Sequence, residues 1–148
     1  MLKFELITPE KVAISEEVYE AILPTTLGQI AVLPNHEPLI TVLRPGVISL
    51  RKVKGDADAK MEHVATSGGF AEITGVSVKV MADSAERADD LDEMKILEAK
   101  EEAKKKMNVA KDDVSHADAV AALETALAQI KVRNLKHRHG SKATFDSN

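Results

Sequence analysis

The chain has no cysteine and no tryptophan, and only four of its 148 residues are aromatic: Phe4, Tyr19, Phe70 and Phe145. Without cysteine there are no disulfides and no thiolate metal sites, and a reducing compartment fits. With so few aromatics, the core must be built from Val, Ile, Leu and Ala. No apolar run approaches the roughly 20 residues of a membrane-spanning helix. The opening MLKFELITPE lacks the charged start and apolar stretch of a secretory signal. Membrane association is therefore expected only through a partner. The formal charge of −4 argues against nucleic acid as the main partner.

Assembled catalytic chemistry is also missing. Ser67 precedes Gly68-Gly69 but lacks the G-x-S-x-G elbow and reads as part of a tight turn. His137 and His139 are two apart, face different sides of a helix and cannot chelate one ion together. The carboxylates are spread over solvated helix faces. No catalytic residue and no metal site is expected, and the chain reads as an interaction module.

Hydrophobic residues make up 44% of the chain, enough for a packed core. The first 83 residues read as short strands: Leu2 to Ile7, Val12 to Ile14, Val18 to Leu23, Ile30 to Leu33, Leu39 to Leu43, Val47 to Val53, Glu62 to Thr66, Phe70 to Ile73 and Val76 to Met81. β-Branched content, period-two alternation and punctuation by all five prolines and six of the seven glycines agree on this. The fold class expected is β plus α: an antiparallel β-sandwich of about ten short strands, followed by an antiparallel two-helix hairpin.

From Glu86 to Arg138 there is neither glycine nor proline. Asp89 and Asp90 serve as N-cap candidates before Leu91, Met94 and Leu97. Lys104, Lys105 and Lys106 suit a helix C-terminus. Asn108 to Asp113 reads as a turn, and Ser115 with Asp118 resembles a capping box. Val120, Leu123, Leu127 and Ile130 then recur at helical spacing. The division expected is 1–85 for the head, 86–139 for the hairpin and 140–148 for a disordered tail.

The helix faces are rich in alanine. A buried Leu or Ile contributes roughly 1.5–3 kcal/mol and Ala much less, and short helices are marginal alone. The hairpin is expected to hold modestly and to be able to undock. Charge is uneven as well: residues 126–148 carry five basic side chains and one acidic, so an acidic docking surface elsewhere is implied.

The segment from Leu23 to Leu39, LPTTLGQIAVLPNHEPL, closely resembles the epsilon subunit of rotary F-type ATP synthases. It does so together with Arg44-Pro-Gly-Val-Ile, Ser67-Gly-Gly-Phe-Ala-Glu-Ile and Glu86-Arg-Ala-Asp-Asp-Leu-Asp. These segments occur in the family's order, and the likeness runs from about Lys3 to Lys136. It implies a central-stalk rotor subunit with gamma and the membrane c-ring as partners. Such a subunit couples proton flow to ATP synthesis and restrains ATP hydrolysis when its helices extend towards the alpha and beta subunits. The implied place is the cytoplasmic face of the bacterial plasma membrane, with the stromal face of the thylakoid as alternative, since the start does not resemble a transit peptide.

The resemblance also assigns residues. A c-ring-facing loop corresponds to Gly28, Gln29 and Ile30, together with His36. From the residues alone, His36 reads equally as a turn residue bonding local carbonyls. Some members bind ATP through Leu/Ile-Asp-x-x-Arg-Ala. Here Glu86, Leu91 and Asp92 match, but Lys95 replaces the Arg fork, which is not a conservative exchange. Ile96 replaces a small residue, and Thr125 and Gln129 offer no cation. ATP is thus expected as a weak regulatory ligand at most. Lys131, Arg133, Lys136 and Arg138 would be the contacts with an acidic segment of the catalytic subunits. The rival reading is a free-standing β-sandwich with a helical dimerisation hairpin, such as a ligand sensor.

Overall fold

The computed structural model describes residues 1–145, with the backbone alone for 139–145; residues 146–148 lie outside the described part. Ten strands form one continuous sheet that wraps around its own core. They are β1 (Leu2–Ile7), β2 (Val12–Val18), β3 (Glu20–Thr25), β4 (Gly28–Val32), β5 (Leu39–Leu43), β6 (Gly46–Arg51), β7 (Glu62–Thr66), β8 (Gly69–Ile73), β9 (Ser77–Ala82) and β10 (Ala85–Arg87). The order is β10-β7-β6-β3-β5-β8-β9-β1-β2, with β4 paired to β3. The expected β-sandwich followed by a helical hairpin is what forms.

One pair departs from antiparallel: β1 runs parallel to β9, with Phe4 opposite Val78 and Leu6 opposite Val80. Nearly the whole head separates these two strands in sequence, so no hairpin turn dictates their direction. Alternation places Leu2, Phe4 and Leu6 of β1 and Val78, Val80 and Ala82 of β9 inside, beside Leu23, Ile48, Leu50, Val64 and Ile73. Phe4 is the only aromatic in this core cluster.

In β6 and β7 the alternation fails because both faces are covered. Ile48 and Val64 point into the sandwich. Their neighbours Val47 and Ala65 are buried in a second cluster with Leu91, Ile96, Ala126, Ala128 and Val132. A strand buried on both faces reads as a continuous apolar run, and here the second cover is the hairpin.

Helix α1 spans Glu93–Val109 and helix α2 spans Asp113–Phe145. The N-cap of α1 is Asp92, whose carboxylate accepts from the backbone N–H of Met94 at 3.0 Å and Lys95 at 3.4 Å. Leu91 just before the cap and Ile96 at the fourth helical position are buried in the same cluster, a hydrophobic staple. The expected caps Asp89 and Asp90 sit instead in a 3-10 helix, Ala88–Asp90. At α2 the expected box is displaced by one turn. Asp112 accepts from the Ser115 N–H at 2.7 Å and the Ser115 hydroxyl at 3.2 Å. Helix α2 runs through Gly140 to Phe145, where the sequence suggested a tail. One glycine inside a helix costs only about 1 kcal/mol and does not by itself end it.

The Asp112 carboxyl is held below the ordinary aspartate range, chiefly by the Ser115 backbone N–H and then by its hydroxyl. A lowered folded-state pKa means that the cap contributes fully above the unfolded value and is lost as pH falls through the folded one. The protection factor of the Ser115 amide is therefore expected to fall between about pH 5 and pH 2. In Asp112→Asn it should be lower at neutral pH and flat across that window. A wild-type amide indifferent to pH there contradicts this.

Candidate functional sites at the head–hairpin junction

The β3–β4 turn is built by its backbone. Thr25, 2% exposed, donates its hydroxyl to the Gly28 carbonyl at 2.5 Å and accepts from the Leu27 N–H at 3.2 Å. Gly28 takes φ +118°, a value that favours glycine. The tip carries Leu27 at 97% exposure, next to exposed Gly28 and Gln29 and half-buried Ile30. His36 does not belong to this tip. About 13 Å of strand separates Gly28 from Val32 at 3.3 Å per residue, and His36 lies beyond, beside Gly75. Its Nδ1 is 2.6 Å from the Glu37 carbonyl, and Asn35 (φ 68°) donates its N–H to Gly75. The structure thus separates one expected loop into two ends of β4. On its inner side the Gln29 end meets α2 across a cleft of about 330 Å³ lined by Arg44, Pro45, Glu124, Leu127 and Lys131.

The residues matched to an ATP motif are largely engaged. Glu86 Oε2 accepts from Gln129 Nε2 at 2.8 Å. Asp92 is committed to capping α1, and Leu91 and Ile96 are packed in the interface. The Thr125 hydroxyl turns back to the Ala121 carbonyl of its own helix at 2.9 Å. Asp92 and Lys95 are both exposed.

The basic end of α2 divides. Arg133 donates to the Leu91 carbonyl at 3.3 Å and pairs with Glu93 at 3.3 Å. Lys136 pairs with Asp89. Lys131 and Arg138 make no ion pair with any described residue. On the other side of the connector, Arg87 reaches Glu62 at 2.8 Å, Glu62 reaches Lys52, and Lys52 reaches Glu16 at 2.9 Å. Hydrogen bonds to Glu16 and then Glu62 hold the Lys52 ammonium above its ordinary pKa. This network ties β10 to β7 and to the far edge of the sheet.

Sequence reasoning did not find Asp89 as the partner of Lys136, Glu93 as that of Arg133, or Gln129 as that of Glu86. Their signal is the row Gln129, Arg133, Lys136 at helical spacing opposite an acidic connector. Ser67, read as a turn residue, accepts from the Ser84 N–H at 3.0 Å. Among the described residues, no group of three or more His, Cys, Asp or Glu could hold a metal ion.

The family description "ATP synthase, Delta/Epsilon chain, beta-sandwich domain" matches residues 1–88, and "ATP synthase, Delta/Epsilon chain, long alpha-helix domain" matches residues 89–134. The chain belongs to this ATP synthase delta/epsilon family. Its relatives include the ATP synthase epsilon chain of Nitratidesulfovibrio vulgaris, 40% identical over 89% of this chain and 95% of that one. That of Chromobacterium violaceum is 40% identical over 88% and 91%. In fold, the chain resembles one in the Euglena gracilis mitochondrial ATP synthase, with TM-score 0.71 and 24% identity over 88% of this chain and 79% of that one. It also resembles one in the Tetrahymena thermophila mitochondrial ATP synthase central stalk and c-ring, with TM-score 0.60 and 14% identity over 89% and 96%. The two family segments meet between Ala88 and Asp89, inside the 3-10 helix that joins β10 to α1. A bacterial-type epsilon chain is the reading these relatives support, and a free-standing sensor module is not favoured.

Proposed function

We propose that the chain is a non-catalytic rotor subunit of F-type ATP synthase, whose head couples gamma to the c-ring and whose hairpin restrains ATP hydrolysis when it leaves the head. The match of both family segments along one chain carries this reading. The interface supports the mobile hairpin: three of the seven residues in the joining cluster are alanine, and burying alanine contributes little. In the docked state the tip at Gly28, Gln29 and Ile30 presents Leu27 outwards for the c-ring, while His36 offers a separate contact at the other end of β4. Lys131 and Arg138, which form no ion pair with a described residue, offer themselves to an acidic segment of the catalytic alpha and beta subunits, whereas Arg133 and Lys136 must first leave Glu93 and Asp89. Among the described residues no helix is long and apolar enough to cross a membrane. A peripheral place on the cytoplasmic face of the bacterial plasma membrane, through the complex, agrees with the bacterial relatives; a thylakoid stromal face is the alternative.

Reconstitution with gamma, the c-ring and the catalytic subunits tests this. Strand β10 pairs with β7 up to Arg87, opposite Val64, so a truncated chain should end at Arg87 rather than Ala85. It is expected to join the complex and keep coupling, while hydrolysis rises about fivefold or more over the full chain, the scale of ordinary coupling energies. A folded, soluble head that cannot join gamma refutes the division of labour.

ATP is expected to bind weakly or not at all. Glu86 and Asp92 are engaged within the protein, and no arginine stands at 95, 125 or 129. Calorimetry on the full chain checks this. A dissociation constant in the low micromolar range, about −8 kcal/mol, is the result that overturns it.

A further inference from the structure

The C-terminal half of α2 presents one polar stripe to the connector. Gln129, Arg133 and Lys136 follow at spacings of four and three, so they share a helix face. Each reaches segment 86–93: Gln129 to Glu86, Arg133 to the Leu91 carbonyl and Glu93, and Lys136 to Asp89. That segment holds Glu86, Asp89, Asp90, Asp92 and Glu93 against the single cation Arg87, and Arg87 is turned away onto Glu62 of the head.

The ion pairs are open to solvent. The side chains of Arg133 and Glu93 are 28% and 64% exposed, and those of Lys136 and Asp89 are 56% and 77% exposed. Pairs so exposed are weak and screened by salt. They are therefore easily exchanged for another acid of the same chemistry. The apolar cluster around Val132 beneath them gives docking its strength. The pairs decide how much positive charge α2 can show to anything else.

We propose that the acidic connector is an internal mimic of an acidic peptide: in the docked state it occupies Arg133 and Lys136, and an acidic segment of another subunit binds this stripe only by displacing it. The identity of that subunit rests on the function proposed above. The occupancy is a property of the isolated chain. Neutralising the connector then strengthens binding of acidic peptides, whereas neutralising the stripe weakens it.

The test uses the full chain and a fluorescent eight-residue polyglutamate peptide, read by anisotropy at low salt. Asp89→Asn/Glu93→Gln is expected to bind about three- to tenfold tighter than wild type, with the difference gone at about 0.5 M salt. Glu101→Gln/Glu102→Gln, exposed on α1, makes the same change in net charge away from the stripe and is the control. Arg133→Gln/Lys136→Gln should bind more weakly than wild type. Tightening confined to the connector variant supports the mimic. Equal affinity in wild type and connector variant overturns it, even if hydrogen exchange shows α2 loosened. So does equal tightening in the control. Because no other subunit is present, failure here leaves the reconstitution result untouched, and the reverse holds too.

Discussion

Gly69→Ala is expected to unfold the head or bring it to the edge of unfolding. Gly69 sits at φ +136°, and a Cβ there would lie 2.0 Å from the Met81 carbonyl oxygen and 3.0 Å from the Ala82 Cα. Both obstacles are backbone, so no side chain can swing aside. Gly69 pairs with Leu43 of β5 and with Ala82 of β9, so strands on both sides would have to part. A strained backbone costs about 1–3 kcal/mol, and overpacking a close contact about another 1–3 kcal/mol. The sum is a large part of the 5–15 kcal/mol that usually holds a domain of this size. Gly55 supplies the control: it has φ +86° but nothing within 4 Å of an added Cβ. Gly55→Ala should show only the conformational part. Urea denaturation followed by circular dichroism measures both, and equal midpoints for the two variants would falsify the steric argument.

The strands were legible because local chemistry and burial agree. Leu2, Phe4 and Leu6 alternate with exposed or half-buried neighbours and end at Pro9, and Arg44-Pro45-Gly46 marks the turn into β6. Strand β10 was not legible. Ala85, Glu86 and Arg87 show no apolar alternation, and only the free edge of β7 makes them a strand. The helix starts were missed for a related reason. Asp89, Asp90 and Asp92 are chemically equal as caps, and what selects Asp92 is the staple of Leu91 and Ile96 against the head, a tertiary contact. The same holds for the site. The basic end of α2 stands out in the sequence, but its partners in the docked state are set by how the connector folds back. Gln29 and His36 are seven residues apart in sequence, and only strand β4 running between them shows that they face different ends of the head.

Val132→Asp is expected to release the hairpin while leaving the head folded. Val132 is fully buried in the cluster that joins Val47 and Ala65 of the head to Ala126 and Ala128 of α2. An uncompensated carboxylate in such a place costs several kcal/mol. The chain has a cheaper way out, because undocking returns the charge to water and forfeits only the docking energy. The head does not need the hairpin for its core: all residues of the sandwich cluster, from Leu2 to Ala82, belong to strands of the head. Hydrogen exchange along α2 should therefore rise about tenfold or more, since a docking energy of a few kcal/mol is lost. The urea midpoint of the head, followed through Tyr19, should move little. Val132→Ala keeps the site neutral and loses only part of the roughly 1.5–3 kcal/mol of a buried valine, so its exchange should fall between the two. If Val132→Asp lowers the head midpoint by as much as it loosens α2, head and hairpin form one cooperative unit, and a hairpin that leaves the head while the head stays on the rotor has no physical basis.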